Sequence, residues 1–196
     1  GSWSELTRWA TSSGGKEKHT TLPTAADNVV FDLNSFLFTG QKITLDVEAH
    51  VNNISWENIR ATNFDGNGQA LNVHGALKAN LDLTFVGTKG FKLNLKSAQE
   101  NTSFNTEGRI FAPNPVISFE GPGSWELQSQ LRTGANGSIY LNEGTVSTNG
   151  FPIVANAFHS VSEKARSLDL GASSITNLST WDISSSLQLT ADAAEF

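Results

Sequence analysis

Ile139-Tyr140-Leu141, followed by Asn142 and then Gly144, is one copy of a phrase that the chain keeps repeating between Lys42 and Gln188. The same apolar-polar-apolar order stands at Ile43-Thr44-Leu45, Leu71-Asn72-Val73, Leu81-Asp82-Leu83, Phe91-Lys92-Leu93, Leu168-Asp169-Leu170 and Leu187-Gln188-Leu189. Alternation at period two is the mark of a half-buried strand. Strands this short cannot bury an apolar face alone. Many of them at similar spacing must stack, which predicts an all-β fold, a parallel β-helix or solenoid.

Working outward, strands are expected from about Asn28 onward, with two or three of them and their turns completing one coil. The joints carry residues that tolerate left-handed backbone: Asp65-Gly66-Asn67-Gly68, Gly87-Thr88-Lys89-Gly90, Gly121-Pro122-Gly123, Asn136-Gly137 and Asn149-Gly150. Almost no helix is expected, and the one stretch that could hold one is Asn156–Arg166. Residues 3–27 are polar and irregular, with Trp3 and Trp9 ahead of the first strand. A solenoid end exposes strand edges that must be covered, so this stretch reads as an N-terminal cap and 28–196 as the solenoid segment. The competing architecture is an antiparallel β-sandwich, for which short strands and Asn-Gly turns are equally suitable. Similar strand phrases and very short strands favour the solenoid.

With 196 residues and 38% hydrophobic content the chain supports one slender core. The net charge of −6 and the lack of any Lys/Arg run argue against nucleic acid and anionic membrane as partners. No cysteine is present, so disulfide, thiol and Cys-zinc chemistry are ruled out. No apolar run is long enough to insert in a bilayer. The terminal dipeptides Gly1-Ser2 and Glu195-Phe196 read as cloning scars, and the pattern runs into the C-terminus with no closing segment. The chain is therefore expected to be a piece of a larger protein, a monomer with end-to-end contacts at its open coil.

Several phrases, taken in order, resemble large cell-surface proteins of gliding and related Bacteroidetes bacteria. They are Trp3-Ser4 with Trp9-Ala10, Pro23-Thr24, Asp27-Asn28-Val29-Val30-Phe31-Asp32, Ile54-Ser55-Trp56, Ile117-Ser118-Phe119-Glu120-Gly121 leading to Trp125-Glu126-Leu127, Gly144-Thr145-Val146-Ser147-Thr148-Asn149, and Arg166-Ser167-Leu168-Asp169-Leu170-Gly171. The resemblance implies an exported, adhesin-like repeat protein at the cell surface, with a surface glycan or a host or substratum receptor as partner. It carries no reaction and no catalytic residues.

The chemistry-bearing residues agree with a chain without catalytic, cofactor or metal site. Asp32, Asp46, Asp82, Asp169 and Asp182 each stand beside apolar strand residues, with no second acid adjacent, and read as outward solubilising charges rather than the paired carboxylates of a polysaccharide lyase or hydrolase. His19, His50, His74 and His159 lack metal-ligand spacing. No nucleophile elbow or phosphate loop occurs. Asp65-Gly66-Asn67-Gly68 offers a single carboxylate, too few for calcium, and reads as an Asx-Gly turn. Trp3, Trp9, Trp56, Trp125 and Trp181 could stack on sugar rings, which is the basis of a rival reading as a carbohydrate-binding module. Twelve Phe against one Tyr favour cap and core roles for aromatics instead. The sequons at Asn53, Asn101, Asn136 and Asn177 match chance in an Asn-rich chain.

Overall fold

The computed structural model describes residues 1–111 and 113–191. It is a parallel β-solenoid of about seven turns. The first five coils each carry three strands: β1 (Val29–Phe31), β2 (Gln41–Thr44) and β3 (Ala49–Val51); β4 (Ile54–Trp56), β5 (Thr62–Asp65) and β6 (Ala70–Val73); β7 (Leu77–Lys78), β8 (Leu83–Val86) and β9 (Phe91–Leu95); β10 (Thr102–Asn105), β11 (Ile110–Phe111) and β12 (Pro115–Phe119); β13 (Ser124–Leu127), β14 (Leu131–Thr133) and β15 (Ser138–Leu141). Two further coils follow with β16 (Gly144–Ser147) and β17 (Ile153–Ser160), then β18 (Arg166–Asp169) and β19 (Ile175–Ile183), before β20 (Gln188–Thr190).

Strands stack into three faces. Face one is an eight-stranded sheet running from β1 to β20. Face two begins as β2-β5-β8 and face three as β3-β6-β9-β12-β15. The long β17 turns through two faces, pairing β14 at Ile153–Val154 and β15 at Ala157–His159, so the later coils merge both faces into one ladder. Every pairing between these strands is parallel, which removes the sandwich alternative; the antiparallel bridge Ala10–Lys18 lies in the cap.

Inside, like stacks on like. Leu71, Leu93, Ile117, Ile139, Phe158 and Trp181 share one register line, and Val51, Val73, Leu95, Phe119 and Leu141 share another. Aromatic rings continue from the cap through the core: Trp9 to Trp3 at 4.8 Å, Trp3 to Phe31 at 6.4 Å, Phe31 to Trp56 at 5.6 Å, then Phe64, Phe85 and Phe111. Offset and edge-on pairs at such distances add to the burial of large apolar surface.

Parts of the first 27 residues lie against the first coil. Ser2 pairs in parallel with Thr44, the Trp3 N–H donates to the Thr44 carbonyl at 2.8 Å, and the Trp3 ring is buried. The Ser13 hydroxyl donates to Asp32 and the Ser4 hydroxyl and N–H to Asp46. Gly1 and Ser2, read from sequence as a scar, thus form part of the pairing that shields β2.

Almost no helix is present among the described residues, as expected, and three local readings are corrected. The segment 156–166 is not a helix: it is the end of β17, a corner, and the start of β18, and the described helical turn is the 3-10 turn Leu6–Arg8. Register pairing with β15 and β19 overrides local helix preference there. Leu81 does not share the inward face with Leu83; it is 60% exposed on a corner, and the true inward pair is Leu83 and Phe85. Leu189 stacks on Leu168 in register yet is exposed. Terminal fraying or end-to-end pairing is expected over 187–196; of these, Gln188–Thr190 pair with β18, and 192–196 lie outside the described residues.

Candidate functional site

The outward side of face three gathers Tyr140 and three of the chain's four histidines, His50, His74 and His159. Pleating sends alternate residues out, and strand register then lines them up: His50, Asn72, Asn94, Ser118, Tyr140, His159 and Asp182 form one row along the axis. One residue beyond the strand ends, His74, Lys96, Glu120 and Asn142 make a second row, held by N–H bonds to the carbonyls of the preceding coil.

The asparagines of this row are internally satisfied. Asn72 has no exposed surface; its Nδ2 donates to Glu48 at 2.8 Å and to the Ala49 carbonyl at 3.1 Å, and its Oδ1 accepts from Asn94 Nδ2 at 3.0 Å. His50 stacks on His74 at 5.9 Å and lies 3.6 Å from Glu48. The His74 Nε2 is buried without a partner. Burial lowers the His74 pKa, and the neighbouring His50 and Lys96 lower it further, because each disfavours a new positive charge.

An open groove of about 420 Å³ runs beside the rows, lined by Lys96, Glu120, Gly121, Pro122, Asn142 and Lys164. Its charges pair across coils: Lys96 with Glu120 at 3.6 Å and Lys164 with Glu143 at 2.6 Å. Gly121 forms a flat floor, since a Cβ there would run into the Ser97 carbonyl oxygen of the coil before. At the groove's flank the Tyr140 and His159 rings lie parallel, 4.7 Å apart, and His159 Nδ1 stands 3.6 Å from Asp182.

The residues singled out by sequence are mostly dispersed. Trp3, Trp56 and Trp125 are 1% exposed and belong to the core, while Trp9 and Trp181 pack against it. This takes Trp3, Trp56 and Trp125 out of any sugar-binding surface. Asp32 and Asp46 hold the cap. Burial alone would raise both carboxyls, but hydrogen bonds from Ser13 and Ser35 to Asp32, and from Ser4 to Asp46, hold them below their ordinary value. Asp82 lies in a second groove with Glu57, Lys78 and Glu107. Asp65 accepts the Asn67 N–H at 2.9 Å and pairs with Lys42 at 3.0 Å, an Asx turn with Asn67 and Gly68 at positive φ. Among the described residues no cluster of three or more His, Asp and Glu is placed to hold a metal ion. Sequence reading did not find the row on face three. Its successive members are 19 to 24 residues apart and share no local motif, and only the coil register brings them together.

No family model, curated protein or solved structure matches this chain.

Proposed function

We propose that this chain is a non-catalytic β-solenoid segment of an exported bacterial surface protein, serving in adhesion or as a stalk. The observation that carries the reading is the pairing in the face-three groove. Glu120 and Glu143 are each engaged by a lysine, Lys96 and Lys164. A carboxylate held in this way ties coil to coil; a general acid or base needs a perturbed group free to exchange a proton with substrate. Axial stacking of hydrogen-bonded strands likewise suits a spacer that carries load along its length. No helix among the described residues is long and apolar enough to cross a membrane.

The experiment has two arms. Antiserum against this chain should label intact cells that make the protein; labelling only after lysis would remove the surface assignment. Incubation with acidic polysaccharides should release neither unsaturated uronate nor new reducing ends. Release of either would make the chain a lyase or hydrolase.

A further inference from the structure

We propose that the solenoid carries a hinge between its third and fourth coils, with face three as the fold line and face two as the side that opens. Among the described residues the strand ladder of face two stops at β8. The sheet β2-β5-β8 ends there, and β11 begins a separate ladder with β14 and β17. The other two faces run through the same junction without a break. On face three, β9 and β12 pair along five residues, Phe91–Leu95 with Pro115–Phe119. On face one, β7 and β10 pair along two, Leu77–Lys78 with Phe104–Asn105, and the Ala79 N–H donates to the Asn105 carbonyl at 2.8 Å. The junction is thus tied firmly on face three, briefly on face one, and by no strand pairing among the described residues of face two.

What joins β8 to β11 is side-chain packing. The Phe85 and Phe111 rings lie 4.4 Å apart, with Phe91 at 5.9 Å and Phe104 at 6.3 Å from Phe111. Both Phe85 and Phe111 are buried. They stand 26 residues apart in the chain, against 21 for each of the steps Ile43–Phe64 and Phe64–Phe85 on the same face, so the regular coil length is not kept here. Hydrogen bonds prefer a narrow range of distance and angle, so a ladder fixes spacing and register. Apolar burial is non-directional and fixes neither tightly. Tilting the two halves about β9 and β12 therefore breaks no strand pair on face two and strains only the short pairing of face one. It uncovers Phe85 and Phe111, whose burial supplies the restoring force. A polar tie spans the corner as well. Arg109 Nη1, next to β11, donates to the carbonyl of Leu81, just ahead of β8, at 2.9 Å, and limits how far the gap opens. Coils one to three and four to seven then act as two stiff rods, and a transverse load bends the molecule at one point.

The chain has no cysteine, so pairs of introduced cysteines carrying nitroxide labels report distances in the whole chain by double electron–electron resonance. Lys42→Cys with Arg132→Cys, and Asn63→Cys with Val154→Cys, each cross the junction on face two. His50→Cys with Tyr140→Cys crosses it on face three, over the same number of coils. Ile110→Cys with Thr176→Cys stays on the far side of the gap as a control. Both face-two pairs should give broad distance distributions extending to longer separations, while the face-three pair and the control stay narrow. Arg109→Gln removes the tie to Leu81 and should broaden the face-two distributions further without changing the face-three one. Face-two distributions no broader than those of the face-three pair and the control would overturn the hinge. Equal broadening of every pair in Arg109→Gln would overturn it too, because the fourth coil would then be unfolding rather than turning. Unchanged face-two widths in that variant would overturn Arg109 as the stop.

Discussion

Leu93 sits between Leu71 and Ile117 in the register line of face three and has no exposed surface. Leu93→Ala should cost about 2–5 kcal/mol, from lost burial and the cavity left behind, read as a shift of the urea midpoint. Asp82→Asn, on an exposed corner, should stay within about 0.5 kcal/mol; a large loss there would reveal a bound or buried carboxylate. His74 gives a pH dependence of defined sign. Its folded pKa lies below the ordinary 6.5, so the fold favours the neutral ring. Stability from this group is therefore full above about pH 6.5 and falls as the pH drops below it, because the unfolded chain takes up the proton first. Asp32 and Asp46 are also depressed from 3.8, so a second loss begins only near that pH and continues below it. His74→Gln should remove the first decline in melting temperature and leave the second. Equal profiles in both proteins would show that His74 is as solvated in the fold as in the unfolded chain. At this scale the inward leucines were legible, because period two marks them directly. Leu81 was misread because a corner leucine beside Asp82 imitates the same alternation. Tyr140 and His159 were not legible together, since outward rows depend on coil length, which local pattern does not reveal.

At the scale of elements, corners decide more than strands. Gly121 is required by space: a Cβ would overlap the Ser97 carbonyl, which is backbone and cannot rotate away. Gly121→Ala should cost about 1–3 kcal/mol through this overpacking and should widen the groove floor; unchanged stability would mean that the corner of the coil before is free to shift. Such corners were visible in sequence as Gly and Asn clusters. The strands they joined were only partly visible. Thr62-Asn63-Phe64-Asp65 and Thr102-Ser103-Phe104-Asn105 are strands with one large inward residue each, held by neighbouring coils rather than by their own apolar content. The misread helix has a definite cause as well. Glu163, Lys164 and Ala165 are good helix formers, but Arg166 is buried and clamps that corner open. Its guanidinium donates to the carbonyls of Ser160, Ser162 and Lys164 and to the hydroxyls of Ser160, Ser184 and Ser186.

For the whole molecule, the connected question is how far a perturbation at one end travels. Each coil touches mainly its two neighbours, so stability is close to a sum of coil terms and nearest-neighbour interfaces. The capped end is fastened by Trp3, whose ring is buried against Trp9 and Phe31, and by the Ser2–Thr44 bridge over β2. Deleting residues 3–26 removes Trp3 and Trp9, uncovers Phe31 and takes away the Trp3 N–H bond to β2, and should raise aggregation in light scattering. Trp3→Ala is the finer test. It should cost about 3–5 kcal/mol at the first coil, and amide exchange should accelerate in β1, β2 and β3 while β12 and β15 keep their protection. This gradient follows from one-dimensional stacking, because a cap that opens locally need not unfold coils several interfaces away. Uniform acceleration from β1 to β15 would instead mean that the aromatic chain from Trp3 to Phe111 binds the coils into one cooperative unit, with the cap as its keystone rather than a local cover.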